Sequence, residues 1–230
     1  MILLAIDCSA NLCAACIYES GEGRELSRSV LDLGKGHAEH LIAVIDAALA
    51  EAGKGYADLD ATAVSIGPGS FTGIRVAVSA ARGFALALKI PAIGVDTLEA
   101  IAAEARGLVG ARKIMSALGN VTTDADALVQ VAVYDEFGQE LYAPSIMRAG
   151  EAANLASGHG AVLAGSAAEA VAAFSAAPLT VAAKAATADI AVYARLAAAK
   201  GPSATKPSPL YLREPDAKPQ AGFILPRREG

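Results

Sequence analysis

The chain has 230 residues and a formal net charge of −5, from 19 basic and 24 acidic side chains. This length corresponds to one large domain or two small ones, and it permits a core that needs no metal or disulfide support. An apolar fraction of 54% excludes a disordered chain. The acidity disfavours a surface that binds nucleic acid unaided.

The sequence gives no sign of a membrane segment. Its longest uninterrupted apolar run is far shorter than the roughly 20 residues that a membrane-spanning helix needs. Residues 1–7 lack the basic segment of a secretory signal, and they end in a charged side chain, Asp7. We therefore expect a cytoplasmic protein with no membrane partner.

The first hundred residues predict a sheet that begins as an antiparallel meander. A continuous apolar run at 2–7 is typical of a central strand, and 12–18 and 25–31 follow as strands. Apolar side chains at helical spacing predict a helix over 38–52. The other predicted elements of this half are a strand at 61–66, a helix from Phe71 to Lys89 and a strand at Ile93–Val95. A further helix follows to about Arg106, with Asp96 or Thr97 as its cap.

After the glycines of 107–110 the same order of strands and then helices restarts, which hints at a duplicated α/β unit. We divide the chain into an N-terminal lobe (1–107), a smaller C-terminal lobe (108–200) and an extended tail (201–230). The predicted elements of the second lobe are strands at 112–118, 127–134 and 139–142, a helix from Gly150, a strand at 161–164, and helices at 166–174 and 187–199.

Three cysteines, Cys8, Cys13 and Cys16, have the spacing that begins a plant-type iron–sulfur site. A fourth thiolate is missing from this pattern. On a strand, Cys13 and Cys16 also point to opposite faces of the sheet. Buried, reduced thiols are therefore favoured over a cluster or a zinc site.

A glycine-rich segment, Gly67-Pro-Gly-Ser-Phe-Thr-Gly-Ile-Arg75, leaves one predicted strand and opens a predicted helix. Free N–H groups at a helix start can bind phosphate, but the spacing matches neither a Walker A loop nor a dinucleotide fingerprint. We favour tight helix–strand packing, with Ser70 or Thr72 as the helix cap, over a cofactor phosphate site. The residues of this motif loop are Gly67, Gly69, Ser70, Thr72, Gly73 and Arg75.

Asp7 and Ser9 lie at the end of the first strand, where a hairpin of small residues follows. This arrangement resembles the phosphate loop of the actin-like ATPase superfamily, in which hairpin N–H groups hold phosphates and the aspartate organises Mg²⁺. Cys8 stands where a glycine would let the backbone touch a phosphate. Asp7 and Ser9 are thus candidate nucleotide residues. An ATP-binding enzyme, either an ATPase or a small-molecule kinase, is the alternative function.

The histidines do not predict a metal site. His37 and His40 are three residues apart on a predicted helix, whereas helical metal sites commonly use a spacing of four with a carboxylate between the ligands. Two polar residues at a helix start are the favoured interpretation.

Small residues along the helix after the motif loop form a smooth face that another helix can approach closely. Intramolecular packing and contact with a partner subunit are both open interpretations of this face. As a partner interface it would combine with the helix of 38–52, and large apolar side chains would be its anchors. The candidate contact residues are Leu41, Val44, Ile45, Ala48, Ala77, Ala81 and Phe84.

Several segments together match the pattern of one known family: Ala5–Ser9, His37–Glu39, Gly67–Arg75, Ile90–Val95, Pro209–Arg213 and Pro215–Pro219. The sequence resembles the TsaB (YeaZ-like) family of the bacterial tRNA threonylcarbamoyladenosine machinery. The resemblance is close over residues 1–105 and good in the tail, and the glycine-rich motif is its most specific part. Residues 118–128 depart from the family pattern.

The resemblance implies an α/β, two-lobed actin-like ATPase (ASKHA) fold, with a mixed sheet and helices in each lobe. It implies a non-catalytic subunit that dimerises with a TsaD-like catalytic protein, which transfers a threonylcarbamoyl group to N6 of the adenosine next to the tRNA anticodon. The catalytic relatives carry a His-x-x-x-His metal motif. His37 and His40 are one residue too close together to reproduce it.

The resemblance also implies the partners. They are the TsaD-like subunit, a TsaE-like ATPase, tRNA through the assembled complex, and a second copy of this chain when the others are missing. It implies no cofactor on this chain alone, and it allows ATP in the assembled complex.

Overall fold

The computed structural model describes residues 1–120, 123–203 and 205–212. Within these residues an α/β protein forms, with two five-stranded mixed sheets. The strands are β1 (Ile2–Asp7), β2 (Leu12–Glu19), β3 (Arg24–Asp32), β4 (Ala61–Gly67), β5 (Ala92–Asp96), β6 (Ile114–Leu118), β7 (Leu128–Tyr134), β8 (Glu140–Arg148), β9 (Val162–Ala164) and β10 (Val181–Ala183). The helices are α1 (His37–Glu51), α2 (Phe71–Leu88), α3 (Thr97–Val109), α4 (Ala149–His159), α5 (Ala168–Ala173) and α6 (Ile190–Lys200).

The first sheet has the strand order β3-β2-β1-β4-β5. The predicted antiparallel meander forms its first three strands, and β4 and β5 then add in parallel. Along β1, Leu3 and Ala5 face one apolar core, and Leu4 and Ile6 face another. Burial on both faces explains why this strand is a continuous apolar run.

The second sheet repeats the topology of the first. Its order is β8-β7-β6-β9-β10, with the same sequence of antiparallel and parallel pairs. In each lobe three strands are followed by helix, strand, helix, strand and helix. The duplicated unit at which the sequence hints is therefore confirmed at the level of topology.

The helices form three layers around the two sheets. The outer face of the first sheet carries α1 and α2, and the outer face of the second carries α4 and α5. Between the sheets, α6 packs on β1 and β2, whereas α3 packs mainly on β6. Each lobe thus contributes its last helix to the sheet of the other, and the expected division at residue 107 falls inside α3.

The clearest differences from the sequence expectations concern β8, β10 and α6. Strand β8 continues well past the expected 139–142, because it pairs with β7 along most of that strand. Strand β10 was not expected, and it has only three residues. Helix α6 begins later than predicted because the Asp189 side chain accepts the N–H of Ala191 at 2.9 Å and so caps the helix.

By length and composition alone, α2 could cross a membrane, a feature that the sequence analysis overlooked. Its buried side chains pack instead on the first sheet, so that α2 is a core helix of this lobe. These buried residues are Gly73, Ile74, Ala77, Val78 and Ala81.

The described part of the tail runs along the first lobe without helix or strand. The N–H of Leu210 donates to the carbonyl oxygen of Ile66 at 2.8 Å, and Pro207 is buried beside Gly94. The remaining tail residues, 213–230, lie outside the described part of the chain, as do residue 204 and residues 121–122 of the divergent segment.

We predict that replacing Leu98 in α3 destabilises the protein strongly. Leu98 is fully buried between the two sheets, and a buried Leu→Ala change costs about 2–5 kcal/mol. Leu108 in the same helix is 66% exposed, so Leu108→Ala is expected to cost less than about 0.5 kcal/mol. Chemical denaturation measures both values, and equal losses would contradict the packing described here.

Asp96 caps α3 and predicts a pH dependence. Its Oδ1 accepts the N–H groups of Leu98 at 2.6 Å and Glu99 at 3.2 Å. Burial nevertheless raises the pKa of Asp96 to about 7. Because this pKa is higher in the folded than in the unfolded chain, the stability that Asp96 contributes is full below about pH 4 and is lost as the pH rises through 7.

The matched variant is Asp96→Asn, which keeps a good helix cap without the charge. We expect its free energy of unfolding to vary less than that of the wild type between pH 4 and 7, and to exceed it above pH 7. Denaturant titrations at several pH values provide the test. A difference between the two proteins that stays constant with pH would refute the assignment.

Candidate functional site

The glycine-rich loop lies directly against the turn that follows β1. The N–H of Ser70 donates to the carbonyl oxygen of Ser9 at 2.7 Å. A Cβ atom at Gly69 would lie 2.2 Å from that same oxygen, and a Cβ atom at Gly73 would lie 2.0 Å from the carbonyl oxygen of Cys8. Glycine is needed at both positions because the two backbone segments touch.

The same loop begins α2. Gly67 is buried at the end of β4, and the Ser70 hydroxyl accepts the N–H of Gly73 at 3.2 Å as the helix cap. The favoured interpretation of tight packing with a serine cap is confirmed. Thr72 and Arg75 are exposed on the first turns of the helix, so these two side chains remain available for contacts outside the chain.

The candidate nucleotide residues meet in a buried polar cluster between the lobes. Asp7 is only 1% exposed; its Oδ1 accepts the N–H of Ser9 at 2.9 Å. Its Oδ2 accepts the hydroxyl proton of Thr187 at 2.7 Å. Thr187 comes just before α6, so a carboxylate of the first strand is bound by a residue some 180 positions later in the chain.

The hydroxyl of Thr187 is fully satisfied in this cluster. It donates to Asp7 and accepts from Tyr193 at 2.7 Å and from Ser9 at 3.2 Å, which uses its one donor and two acceptor positions. Burial raises the pKa of Tyr193, so its hydroxyl stays protonated and can donate. Sequence reasoning found Asp7 and Ser9 but missed Thr187 and Tyr193, since no local motif marks them.

Most of the predicted partner-contact residues are buried in the protein's own core. The exception is Phe84, which is half-buried and stacks on Tyr56 with ring centroids 5.2 Å apart. The spacing correctly identified the apolar stripe of each helix, but the stripe faces the first sheet. The six residues that are buried there, each at most 2% exposed, are Leu41, Val44, Ile45, Ala48, Ala77 and Ala81.

The opposite faces of α1 and α2 form an exposed apolar groove, which we call the α1–α2 groove. Ile42 is 50% exposed and Phe71 is 53% exposed, and the guanidinium carbon of Arg75 lies 5.1 Å from the centre of the Phe71 ring. The tail reaches the same place, because the ring of Tyr211 lies 5.6 Å from that of Phe71. The residues that line the groove are Ala38, Leu41, Ile42, Phe71, Thr72, Arg75, Val76, Ser79 and Ala80.

The cysteines and histidines, which are potential metal ligands, lie in different surroundings. Cys13 contributes to the core under α1 and α2, whereas Cys16 contributes to the core between the sheets, which confirms that they lie on opposite faces. His37 is buried at the start of α1, while His40 is exposed. Over the residues that the structure describes, no group of three His, Cys, Asp or Glu side chains could hold a metal ion.

Comparison with known proteins places this architecture in a family. A family model described as "TsaD: tRNA N6-adenosine threonylcarbamoyltransferase" matches residues 32–219. A protein of Mycobacterium tuberculosis described as uncharacterized is 34% identical over 221 residues, which is 95% of each chain. The tRNA threonylcarbamoyladenosine biosynthesis protein TsaB of Haemophilus influenzae is 30% identical over 141 residues, 60% of this chain and 58% of that protein.

The chain belongs to the TsaB/YeaZ family. The structure of YeaZ from Pseudomonas aeruginosa matches this family member with a TM-score of 0.72 at 25% identity, over 92% of this chain and 99% of that one. The expected two-lobed actin-like fold is confirmed. This is a TsaB-like protein of the family linked to tRNA threonylcarbamoyladenosine modification.

The contact of the motif loop in this TsaB-like protein can be tested with two glycines of α2. We predict that Gly73→Ala costs about 1–3 kcal/mol, because its methyl group would collide with the backbone of Cys8. In Gly83→Ala the new methyl group meets no atom of the described residues within 4 Å, so this change should stabilise the helix by about 0.5–1 kcal/mol. Thermal unfolding of both variants measures the difference, and a stable Gly73→Ala protein would argue against the close contact.

Proposed function

We propose that this chain is a non-catalytic, TsaB-type subunit that pairs with a TsaD-like catalytic protein. That partner transfers a threonylcarbamoyl group to N6 of the adenosine next to the tRNA anticodon. The observation that carries this proposal is the α1–α2 groove, in which Ile42 and Phe71 are about half exposed in a member of this family. Apolar side chains of this size at a groove are typical of protein contact sites.

The composition of the groove favours a helical partner. Ala38, Ser79 and Ala80 leave the backbones of α1 and α2 accessible, and small residues let helix axes approach to about 8 Å. The lobes of this fold present paired helices, so a structurally similar catalytic protein offers a matching surface. In the absence of that protein, a second copy of this chain would occupy the groove.

Two features support a subunit without its own catalytic site. The carboxylate of Asp7 is bound by Ser9 and Thr187 instead of facing an open cleft. The spacing of His37 and His40 does not provide the His-x-x-x-His metal motif. We therefore propose that the chain alone binds no nucleotide and that any ATP belongs to the assembled complex, which would include a TsaE-like ATPase.

The charge of the chain suggests how it meets tRNA. A net charge of −5 repels a polyanion, so we propose that the catalytic partner supplies the cationic surface and that this chain contacts tRNA only through the complex. Such a complex acts in the cytoplasm, where tRNA is modified.

We predict that Ile42→Glu disrupts the complex. A carboxylate in the α1–α2 groove would have to lose its water on docking, and loss of an anchor residue costs at least about 2 kcal/mol of binding. This corresponds to an affinity for the TsaD-like protein that is at least roughly 30-fold lower. Titration calorimetry measures the affinity, and light scattering reports whether the isolated chain still dimerises.

The matched control is Phe137→Glu, because Phe137 is 80% exposed on a turn of the second lobe, away from the groove. It should bind the catalytic protein as the wild type does. Binding by Ile42→Glu that equals the wild type would place the interface elsewhere.

Titration of the isolated chain with ATP and Mg²⁺ separates the proposal from the alternative of an ATP-binding enzyme. We expect no heat of binding at micromolar concentrations, because Thr187 already occupies the carboxylate of Asp7. A micromolar dissociation constant would support the enzyme instead.

A further inference from the structure

Two thiols face each other across the turn between β1 and β2. The register of these strands pairs Ile6 with Ala15 and Asp7 with Ala14, so one further step places Cys8 opposite Cys13. Directly opposite residues of antiparallel strands have Cα atoms about 4.5–5.5 Å apart, which lies within the range of about 4.4–6.8 Å found for disulfides. The two Sγ atoms are 3.9 Å apart, and the Cys8 thiol donates to the Cys13 sulfur.

We propose that Cys8 and Cys13 are a site of oxidative modification, at which a peroxide converts the two thiols into an intramolecular disulfide. The geometry supports this pair and excludes the third thiol, because Cys16 lies in the core on the other face of the sheet. The sulfur atoms need to approach by about 2 Å to reach bonding distance. A rotation about the side chains can supply much of this movement.

The environment of the pair assigns different roles to its members. The hydrogen bond from Cys8 lowers the pKa of the Cys13 thiol, and the same bond together with burial raises the pKa of Cys8. The thiolate is the nucleophilic form of cysteine. Because the Cys8 thiol donates its hydrogen bond to the Cys13 sulfur and so stabilises a negative charge there, Cys13 is the sulfur that reacts first, and Cys8 is the sulfur that resolves the product.

The chemistry balances with hydrogen peroxide as the oxidant. The Cys13 thiolate attacks one peroxide oxygen, the O–O bond breaks, and the departing hydroxide takes up the proton that Cys13 released, which gives sulfenic acid and water. The Cys8 sulfur then attacks the Cys13 sulfur; the S–S bond forms as the S–OH bond breaks, and the Cys8 proton leaves with the hydroxide as a second water. The thiols lose two electrons, and these reduce the peroxide.

The turn above the pair provides access. Asn11 at the centre of this turn is exposed, and its neighbours Ala10 and Leu12 are half-buried. Opening of a short surface turn costs far less than global unfolding. Both thiols are fully buried in the core under α1 and α2, next to this turn, so a small oxidant reaches them only when the turn opens.

The disulfide has a structural consequence for α2. The carbonyl oxygen of Cys8 is in contact with Gly73, and that of its neighbour Ser9 accepts the N–H of Ser70. A shift of Cys8 toward Cys13 therefore moves the atoms that hold the first turn of α2, where Phe71 lines the α1–α2 groove. Oxidation should weaken docking at that groove. This last step rests on the proposed function, whereas the disulfide itself does not.

The test is peroxide treatment of the folded full-length protein, followed by alkylation of the remaining thiols and mass spectrometry. The three cysteines lie in one tryptic peptide, residues 1–24, whose fragmentation identifies the linked pair. We expect two of its three thiols to be lost when the Cys8–Cys13 bond forms, and we expect dithiothreitol to reduce this bond and restore both thiols. Hydrogen exchange of residues 71–75 should be faster in the oxidised protein.

Three variants complete the experiment. Cys16→Ala should oxidise as the wild type does, whereas Cys8→Ala and Cys13→Ala should form no intramolecular disulfide; circular dichroism checks their folds. Three free thiols in peroxide-treated wild-type protein, or a bond that includes Cys16, would overturn the proposal. If the disulfide forms while hydrogen exchange in α2 is unchanged, the coupling to the groove is wrong. The docking proposal is tested separately by Ile42→Glu: unchanged binding of that variant would contradict docking at the groove and would leave the disulfide proposal unaffected.

Discussion

The first lobe is organised by a contact between two backbone segments. The loop before α2 presses on the turn after β1 so closely that no Cβ atom fits at Gly69 or Gly73. The hydrogen bond from Ser70 to Ser9 then sets the direction in which α2 leaves the sheet. The position of α2 beside α1, and with it the exposed groove, depends on this contact.

The second lobe repeats the arrangement, which shows that the contact belongs to the duplicated fold. A Cβ atom at Gly165, after β9, would lie 2.3 Å from the carbonyl oxygen of Ala117 in β6. The N–H of Ala167 donates to that same carbonyl oxygen at 3.1 Å, as the N–H of Ser70 donates to that of Ser9 in the first lobe. The side chain of Ser166 also bonds the backbone of Gly119 at 3.3 Å. Both lobes thus bring a loop against the turn after their central strand, at the edge of the sheet where the lobes face each other.

Between the lobes, polar side chains that would face solvent in an open cleft form hydrogen bonds with one another. The carboxylate of Asp7 is deeply buried, and a buried charge requires several partners. Ser9 and Thr187 supply them, and Tyr193 completes the network. Because Thr187 comes just before α6, and α6 packs on the first sheet, the same interaction that satisfies Asp7 also joins the two lobes. Asp7 and Ser9, which the sequence indicates as candidate nucleotide residues, thus form part of a contact between the two lobes.

Sequence alone determined the features that depend on neighbouring residues. The apolar run of β1, the helical spacing of α1 and the glycine motif with its Ser70 cap follow from local patterns, and the resemblance to the TsaB family came from such segments. Tertiary structure decided what covers the apolar faces of α1 and α2. Leu41 and Ala81 lie under the helices, whereas Ile42 lies on the outside. A helical period of 3.6 residues identifies an apolar face, but it does not show whether the protein's own sheet or a partner packs on that face. Tertiary structure also brought Thr187 to Asp7 and Tyr211 to Phe71, since only folding joins residues so far apart in the chain.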